Sequence, residues 1–311
     1  MNGKTITLFA GIGGTSLGLK QAGMEEVLAI DWLDLSKYWK LNFPGIDFWK
    51  VDIMSITGND ILDRIGMRVG EAGCLTASPP CQGFSSSGNF DVNDERNLLF
   101  FKTIDILNEV MPATFMFENV CGIIKGKMRG IFKDLFERMS LNYNVRVQRM
   151  NSMYYGCATS RPRIIWLGAR KDLDGSIGLP KHQKVLAVKD VLDGVEPRTY
   201  KSLSPKFEKM WERTPVGRKF NIFLESNKYF SYHKVNPFLP CPTIARSPFK
   251  LLHWAEPRSL SIEELKRIAS FPDDFQLGES ASFQWNMIGN AVMPNFSGAI
   301  FGEVRKFLDN L

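Results

Sequence analysis

The sequence predicts an α/β protein whose first 170 residues form a largely parallel sheet. Segments 98–111 and 128–140 repeat apolar residues at the i, i+3, i+4 spacing of a helix. Strands that alternate with helices are typical of βαβ units, in which ligands bind outside the carboxyl ends of the strands. Six short apolar segments are the predicted strands: "TITLFA" (5–10), "VLAID" (27–31), "FWKVDI" (48–53), "GCLTAS" (73–78), "TFMFEN" (114–119) and "RIIWLGA" (163–169).

The pattern changes near residue 171, where prolines become frequent and apolar periodicity weakens. One helix is predicted there, at 204–213. Regular structure returns at 261–271, where Ser261 and Glu264 have the spacing of a capping box. We therefore expect three parts: a first domain at 1–170, an irregular lobe at 171–257, and a C-terminal segment at 258–311 that returns to the first domain.

The composition argues against several classes of protein. With 44% hydrophobic and 23% charged residues, the chain is typical of soluble globular proteins. No apolar run approaches the ~20 residues that cross a bilayer, and the N-terminus lacks the pattern of a signal peptide, so we expect a cytoplasmic protein. Five cysteines without a C-x-x-C pair and only three histidines argue against a disulfide framework and against a metal site.

The positive charge is concentrated in the irregular lobe. The chain has a net charge of +6, and residues 171–257 carry 15 Lys and Arg against 9 Asp and Glu. Residues 1–170 have a net charge of +2 and residues 258–311 a net charge of −2. A polyanion such as nucleic acid is the natural partner of such a patch, although a solvated basic surface would give the same composition.

A glycine-rich segment, "LFAGIGGTSLGLKQAG" (8–23), follows the first strand and opens a helix. Glycines let the backbone approach a ligand, and a helix N-terminus offers free N–H groups. Ser16 occupies the third glycine position of the dinucleotide fingerprint, so a nucleoside-type ligand is favoured over a dinucleotide. Asp31 and Asp52 end later strands, where they suit hydrogen bonds to ribose hydroxyls and an exocyclic amine, or cap the following helix.

One cysteine lies between a rigid and a permissive stretch of chain, in "TASPPCQGFSSSG" (76–88). Pro79 and Pro80 fix the backbone ahead of Cys81. The glycines and serines that follow lower the barrier to rearrangement. This arrangement suits a nucleophile beneath a flap that closes, and taken alone it equally suits a buried structural cysteine in a loop.

An acid and two arginines end or begin other predicted strands. Glu118 closes "FMFENV", where an apolar surrounding can raise the pKa of a carboxyl group enough for it to donate a proton. Arg161 and Arg163 open "SRPRIIWL". With the thiol of Cys81, these groups fit covalent catalysis on an electrophilic ring, in which the acid protonates the ring as the thiolate adds.

Six motifs follow one another along the chain: "FAGIGG", "SPPCQGFS", "FENV", "RPR", "RSLSIEELKRIASFPDDF" and "IGNAV". In this order they resemble the motifs of the DNA cytosine methyltransferases that modify ring carbon 5, the bacterial restriction-modification type. The resemblance implies a Rossmann-like S-adenosylmethionine-dependent sheet with a smaller, irregular target-recognition domain. It assigns catalysis and cofactor binding to 1–170 and target recognition to 171–257.

The resemblance also implies roles for single residues. Cys81 would attack carbon 6 of a flipped-out cytosine, and Glu118 would contact ring nitrogen 3 and the exocyclic amine. Arg163 would hold the cytosine carbonyl oxygen, and Arg161 would support the site. The cofactor would be S-adenosylmethionine, leaving as S-adenosylhomocysteine, with no metal. Its pocket would comprise Phe9, Gly11, Gly13, Asp31, Trp32, Asp52, Ile53, Pro80, Leu99 and Asn290.

The expected macromolecular partner is double-stranded DNA. Residues 82–96 would close on it, and candidate contacts are Gln82, Ser85, Ser87, Arg246 and Lys250. A cognate restriction endonuclease would act separately, no membrane would be involved, and the enzyme would be a cytoplasmic monomer that associates with the nucleoid when on DNA. Two alternatives stay open at this point: a transfer-RNA cytosine-5 methyltransferase of the same fold, and a non-catalytic DNA-binding relative.

The sequence departs from the family pattern at three positions. Thr159 and Met287 stand where the family commonly has glutamine, which puts some contacts to DNA in doubt. Asp31 replaces a longer glutamate, which would weaken or re-angle a hydrogen bond to the cofactor.

Overall fold

The computed structural model describes residues 3–80, 97–223 and 231–311, and the chain divides into two compact units. The first unit comprises Met1–Asn151, Pro162–Lys181 and Ser297–Leu311. The second comprises Ser152–Arg161 and His182–Phe296. The borders between the two units show which parts of the chain pack compactly together. The borders expected from the sequence separate parts with different functions, so the assignment of target recognition to 171–257 stays a prediction.

A seven-stranded sheet forms the centre of the first unit, with the strand order β3-β2-β1-β4-β5-β7-β6. Neighbours from β3 to β5 run parallel, whereas β7 runs antiparallel to both β5 and β6. The strand order reverses between β1 and β4. The ligand crevice of a doubly wound sheet is therefore expected at the carboxyl ends of these two strands. The strands are β1 Lys4–Leu8, β2 Glu25–Asp31, β3 Asp47–Lys50, β4 Cys74–Ala77, β5 Thr114–Val120, β6 Tyr143–Asn151 and β7 Pro162–Arg170.

Helices between the strands cover the sheet and bury its apolar side chains. On β1, β4 and β5 almost every residue is buried, as expected for the central strands of a covered parallel sheet. Phe100 and Trp166 meet edge to face, with ring centroids 5.3 Å apart, and join a helix to β7. The helices of this unit are α1 Gly14–Gln21, α2 Ser36–Asn42, α3 Gly58–Ile65, α4 Leu98–Val110 and α5 Arg129–Met139.

The second unit contains short elements joined by irregular chain. Ser261 and Glu264 form the predicted capping box, and Glu264 also forms a buried, two-contact ion pair with Arg258 at 2.8 and 2.9 Å. Its elements are helices α6 Val188–Val191, α7 Pro205–Arg213, α8 Ile262–Ile268 and α9 Ala281–Asn290, and strands β8 His233–Lys234 and β9 Leu251–Leu252. A last helix, α10 Pro294–Asp309, begins in this unit and ends in the first.

The α/β fold with a largely parallel sheet is confirmed, and each of the six predicted strands is present within a few residues. The elements that the sequence pattern does not predict are β6 and α9, together with the short helices α2, α3 and α6 and the two-residue strands β8 and β9. β6 has a clear signal, since Val145 and Val147 alternate with Arg146 and Gln148 in the manner of an edge strand. Within the described residues, no helix is long and apolar enough to cross a membrane.

A glycine in β7 limits what the sheet tolerates. A Cβ atom at Gly168 would lie 2.0 Å from the ring of Phe115 on β5, whereas one at Gly130 on α5 would meet nothing within 4 Å. We expect Gly168→Ala to lower the free energy of unfolding by about 1–3 kcal/mol because the buried rings must move. Gly130→Ala should leave it unchanged or raise it by up to about 1 kcal/mol. Urea unfolding monitored by circular dichroism measures both, and equal effects would contradict this packing.

Candidate active site

The glycine loop, residues 9–13, directly follows β1. It therefore lies at the carboxyl ends of β1 and β4, where the strand order reverses. Phe9, Gly11 and Gly13 all have positive φ, at 54°, 53° and 96°. A Cβ atom at Gly13 would lie 2.3 Å from the ring of Phe43, so only glycine fits there for both conformational and steric reasons. The loop therefore presents bare backbone at the crevice, as close approach to a ligand requires.

Asp31 is held beside this loop by main-chain amides. Gly11 N donates to one carboxylate oxygen at 2.8 Å, and Leu33 N donates to the other at 2.9 Å. Burial raises the pKa of Asp31 above its usual value, and these amide hydrogen bonds oppose that rise. Helix α2 begins after Leu35, so capping by Asp31, one of the two interpretations left open by the sequence, is wrong.

The other cofactor candidates of the first unit occupy the same strand ends or nearby helix starts. Asp52 follows β3 and caps the 3-10 turn Ile53–Ser55 by accepting from Met54 N at 3.0 Å, as one of its two interpretations predicted. Trp32, directly after Asp31, is 68% exposed and presents a large free aromatic face. Ile53 is buried, and Pro80 and Leu99 are partly buried.

Glu118 and Arg163 meet at the ends of β5 and β7. Glu118 pairs with Ile165 in the antiparallel register, so Arg163 is its diagonal neighbour two residues away on the same face. The Arg163 Nε atom lies 2.5 Å from Glu118 Oε1, and each side chain is 11% exposed. Arg163 Nη1 also donates to the carbonyl oxygen of Pro162 at 2.8 Å. The sequence thus brings an acid and one of its two candidate arginines into direct contact.

Asn119 is a site residue whose role the sequence does not reveal. Its Nδ2 donates to the carbonyl oxygen of Pro79 at 3.3 Å, and its Oδ1 accepts from Val120 N. This contact fixes the chain that leads to Cys81 beside the end of β5, one residue from Glu118. Cys81 itself lies outside the described residues, as do three of the DNA candidates, Gln82, Ser85 and Ser87.

The remaining candidates lie in the second unit. Arg161 is buried and donates to two main-chain carbonyls, those of Ile244 at 3.0 Å and Gly289 at 2.8 Å. Asn290, at the end of α9, and Arg246 are exposed. Arg161 therefore holds the segment before Arg246 against the end of α9. The last candidate, Lys250, has its ammonium group 3.8 Å from the centre of the Tyr232 ring.

The same packing explains a glycine at the end of α9. A Cβ atom at Gly289 would lie 2.8 Å from the carbonyl oxygen of Ala245, and the indole N–H of Trp285 donates to that oxygen at 3.0 Å.

In the described part of the chain, no three His, Cys, Asp or Glu side chains gather closely enough to hold a metal ion.

The family model for C-5 cytosine-specific DNA methylases matches residues 3–306, nearly the whole chain. The chain belongs to this family. It is accordingly a DNA (cytosine-5-)-methyltransferase, and the activity expected from the six motifs is confirmed at this level.

Similar proteins span the chain from end to end. It is 28% identical to the type II methyltransferase M1.HphI of Haemophilus parahaemolyticus, over 98% of this chain and 87% of that protein. It is also 28% identical to M.MthTI of Methanothermobacter thermautotrophicus, over 100% of this chain and 99% of that protein.

Solved structures establish the methyltransferase fold independently. An E. coli prophage protein described as a DNA modification methyltransferase superposes with a TM-score of 0.84, at 22% identity over 98% of this chain and 99% of that one. The Dnmt2 methyltransferase of S. pombe gives a TM-score of 0.70 at 19% identity, over 97% of this chain and 98% of that one. The predicted Rossmann-like sheet is thereby confirmed.

A buried carboxyl group anchors the helix that follows the glycine loop. Ser16 on α1 donates its hydroxyl to Glu26 Oε1 on β2 at 3.0 Å, and both side chains are buried. Burial raises the pKa of Glu26 to about 7, while the hydrogen bond from Ser16 acts in the opposite direction. The folded protein therefore keeps Glu26 protonated at pH values where the unfolded chain, with an ordinary carboxyl pKa near 4.5, has lost that proton.

This difference predicts a pH-dependent stability. Between pH 4.5 and 7 the folded state binds more protons at Glu26, so the free energy of unfolding should fall as pH rises and level off above pH 7. The loss should reach up to about 3 kcal/mol. Urea unfolding of wild type and Glu26→Gln at pH 5, 6, 7 and 8 measures it. An equally steep fall in the variant would assign the effect to other groups.

Proposed function

We propose that this chain transfers a methyl group from S-adenosylmethionine to carbon 5 of a cytosine flipped out of duplex DNA, through a covalent adduct with Cys81. The observation that carries the proposal is the Glu118–Arg163 contact beside the chain that leads to Cys81. On cytosine, the exocyclic amine, ring nitrogen 3 and the carbonyl oxygen follow one another along one edge. A carboxyl group and a guanidinium group in contact can therefore read adjacent atoms of that edge.

Each of these residues has a distinct part in the chemistry. The Cys81 thiolate adds to carbon 6, and Glu118 holds a proton at ring nitrogen 3, so electron density collects at carbon 5. Arg163 donates to the carbonyl oxygen and stabilises the charge that develops there. Carbon 5 would take the methyl group with release of S-adenosylhomocysteine. A base then removes the remaining proton of carbon 5, ring nitrogen 3 returns its proton to Glu118, and the bond between carbon 6 and the Cys81 sulfur breaks, which restores both the ring and the thiolate. The cytosine must leave its stack because carbon 6 is attacked from above the ring plane.

The first unit offers the cofactor a suitable cradle. S-adenosylmethionine, when bound, supplies an electrophilic methyl group attached to a sulfonium. The exposed face of Trp32 fits an adenine ring, and the bare backbone at Gly11 and Gly13 fits close approach to the ligand. Asp31 and Asp52 stand at strand ends where they would accept from ribose hydroxyls and the exocyclic amine. Phe9, Ile53, Pro80 and Leu99 would supply the apolar wall, and Asn290, in the second unit, stays a cofactor candidate from its motif alone.

We assign sequence-specific recognition of DNA to residues 171–257. Helix α7 presents Lys206, Lys209 and Arg213 at i, i+3, i+7 spacing, and all three are exposed. Its other face is anchored, since the Trp211 indole N–H donates to the carbonyl oxygen of His253 at 2.8 Å. The type II names of the relatives support a role beside a separate restriction endonuclease. We further propose a cytoplasmic monomer, with Arg246 and Lys250 as base or phosphate contacts.

Bisulfite sequencing tests the proposed function directly. Plasmid DNA incubated with the purified protein and S-adenosylmethionine should contain protected cytosines within one short recurring sequence. Complete conversion of every cytosine, by a protein shown to bind the cofactor, would overturn the proposal.

The nucleophile is tested by Cys81→Ser. We expect kcat for methyl transfer from labelled S-adenosylmethionine to fall more than about a thousandfold, because a serine hydroxyl is not ionised near neutral pH. Affinity for S-adenosylhomocysteine should stay within about twofold of wild type. Cys121→Ser, at a partly buried cysteine after β5, is the matched control and should keep its activity. Turnover by Cys81→Ser close to that of the control would refute the covalent mechanism.

The basic face of α7 is tested by the triple variant K206Q/K209Q/R213Q. We expect weaker binding to DNA of any sequence. The slope of log K against log salt should be less steep by about 1 for each phosphate that the variant no longer neutralises. A control triple, K20Q/R305Q/K306Q on α1 and α10, removes the same charge from the first unit. Identical slopes for the two triples would locate the DNA interface elsewhere.

A further inference from the structure

We infer that Trp39 is a positioning residue that holds the glycine loop in its cofactor-binding conformation before the cofactor arrives. The inference rests on the proposed S-adenosylmethionine site. It concerns a residue on α2, outside every motif that the sequence singled out. Its basis is a hydrogen bond from a buried side chain to the backbone of the loop.

The Gly11 peptide groups are held from two directions. Asp31 accepts from Gly11 N at 2.8 Å, while the indole Nε1–H of Trp39 donates to the Gly11 carbonyl oxygen at 2.9 Å. The first contact comes from the end of β2 and the second from a helix 28 residues along the chain. Two anchors on opposite ends of one residue fix both its position and its orientation.

Trp39 cannot easily move away from this contact. Only 1% of its surface is exposed, and its ring lies 4.7 Å from that of Phe43 and 5.1 Å from that of Phe48, measured between centroids. The Phe43 ring in turn fills the space where Gly13 lacks a Cβ atom. One aromatic cluster, formed by Trp39 on α2, Phe43 directly after it and Phe48 on β3, therefore contacts the loop at two of its three positive-φ residues.

The loop needs such support because its backbone is intrinsically unfavourable. Phe9 adopts φ 54°, a conformation that costs a non-glycine residue free energy, and the glycines have many alternatives in a free loop. A cofactor that binds only one of several loop conformations has its apparent affinity reduced by the fraction of protein in that conformation. Removing the anchor should therefore weaken cofactor binding without changing the chemical groups at the site.

The decisive variant is W39F, which keeps an aromatic ring between Phe43 and Phe48 and removes the N–H donor. The matched control is W166F. Trp166 is fully buried, and within the described residues its Nε1 has no hydrogen-bond partner. W166F therefore removes packing contacts and no hydrogen bond. The two variants separate a missing hydrogen bond at the loop from the general effect of shrinking a buried tryptophan.

The experiment measures S-adenosylhomocysteine binding by titration calorimetry and amide hydrogen exchange of residues 8–14 in the cofactor-free protein. For W39F we expect Kd to rise about three- to tenfold, the value of one hydrogen bond, and exchange in 8–14 to accelerate. KM for S-adenosylmethionine should rise in step while kcat at saturating cofactor stays unchanged. W166F should match wild type in Kd and loop exchange, even where its unfolding midpoint falls.

The outcomes separate the two proposals. Failure of the wild-type protein to bind either S-adenosylmethionine or S-adenosylhomocysteine would overturn the cofactor site itself. Tight binding by wild type with an unchanged Kd and unchanged loop exchange in W39F would overturn only the role of Trp39, as would equal effects in W39F and W166F. Should W39F fold poorly, 3-benzothienylalanine at position 39 removes the N–H with the ring shape kept, and the same criteria apply.

Discussion

The register between β5 and β7 is the constraint on which the site depends. It places Glu118 and Arg163 diagonally on one face of the sheet, close enough for a 2.5 Å contact. A slip of one residue in either strand would turn one of the two side chains to the opposite face. Because both groups are largely buried, removal of one partner would leave a desolvated charge without compensation, a cost of about 3–5 kcal/mol. The fold and the chemistry therefore require the same pair.

A second constraint is the reversal of strand order between β1 and β4. It opens the crevice that receives the glycine loop on one side and the chain leading to Cys81 on the other. Both are tied to the sheet by side chains at strand ends, the loop by Asp31 and the Pro79 carbonyl by Asn119. Rigid strands thus set the positions of segments that have little regular structure of their own, which is how loops acquire the precision that catalysis needs.

Much of this arrangement is predictable from the sequence, for identifiable reasons. Six of the seven strands of the first unit and its helices α4 and α5 follow from local periodicity, and the capping box at Ser261 follows from two residues three apart. The motifs, in a recognisable order, assign Glu118 and Arg163 to one cytosine ring, and the structure adds their direct contact. These signals are local, or are carried by residue types whose chemistry is restricted.

Other features depend on contacts that no local pattern encodes. Trp39 looks like an ordinary apolar residue of an amphipathic segment, and only the packing of α2 against the loop shows its donor at Gly11. Likewise, Arg161 has the residue type of a catalytic group, yet its donors bind the carbonyls of Ile244 and Gly289. Helix α9 is not predicted because its apolar residues, Trp285 and Ile288 among them, do not form a regular apolar stripe along the helix. Their positions are set by the tertiary contacts that they make.

The covalent adduct is the central claim, and one measurement tests it most directly. DNA that contains the methylated sequence, with 5-fluorocytosine at the target position, is incubated with protein and S-adenosylmethionine and then denatured for intact-mass analysis. Fluorine cannot leave carbon 5 as a proton does, so the reaction should stop after methyl transfer, with the protein joined to the DNA through Cys81. Peptide mapping should then place the attachment at Cys81. Methylation of normal DNA by a protein that forms no such species on the substituted DNA would contradict the account.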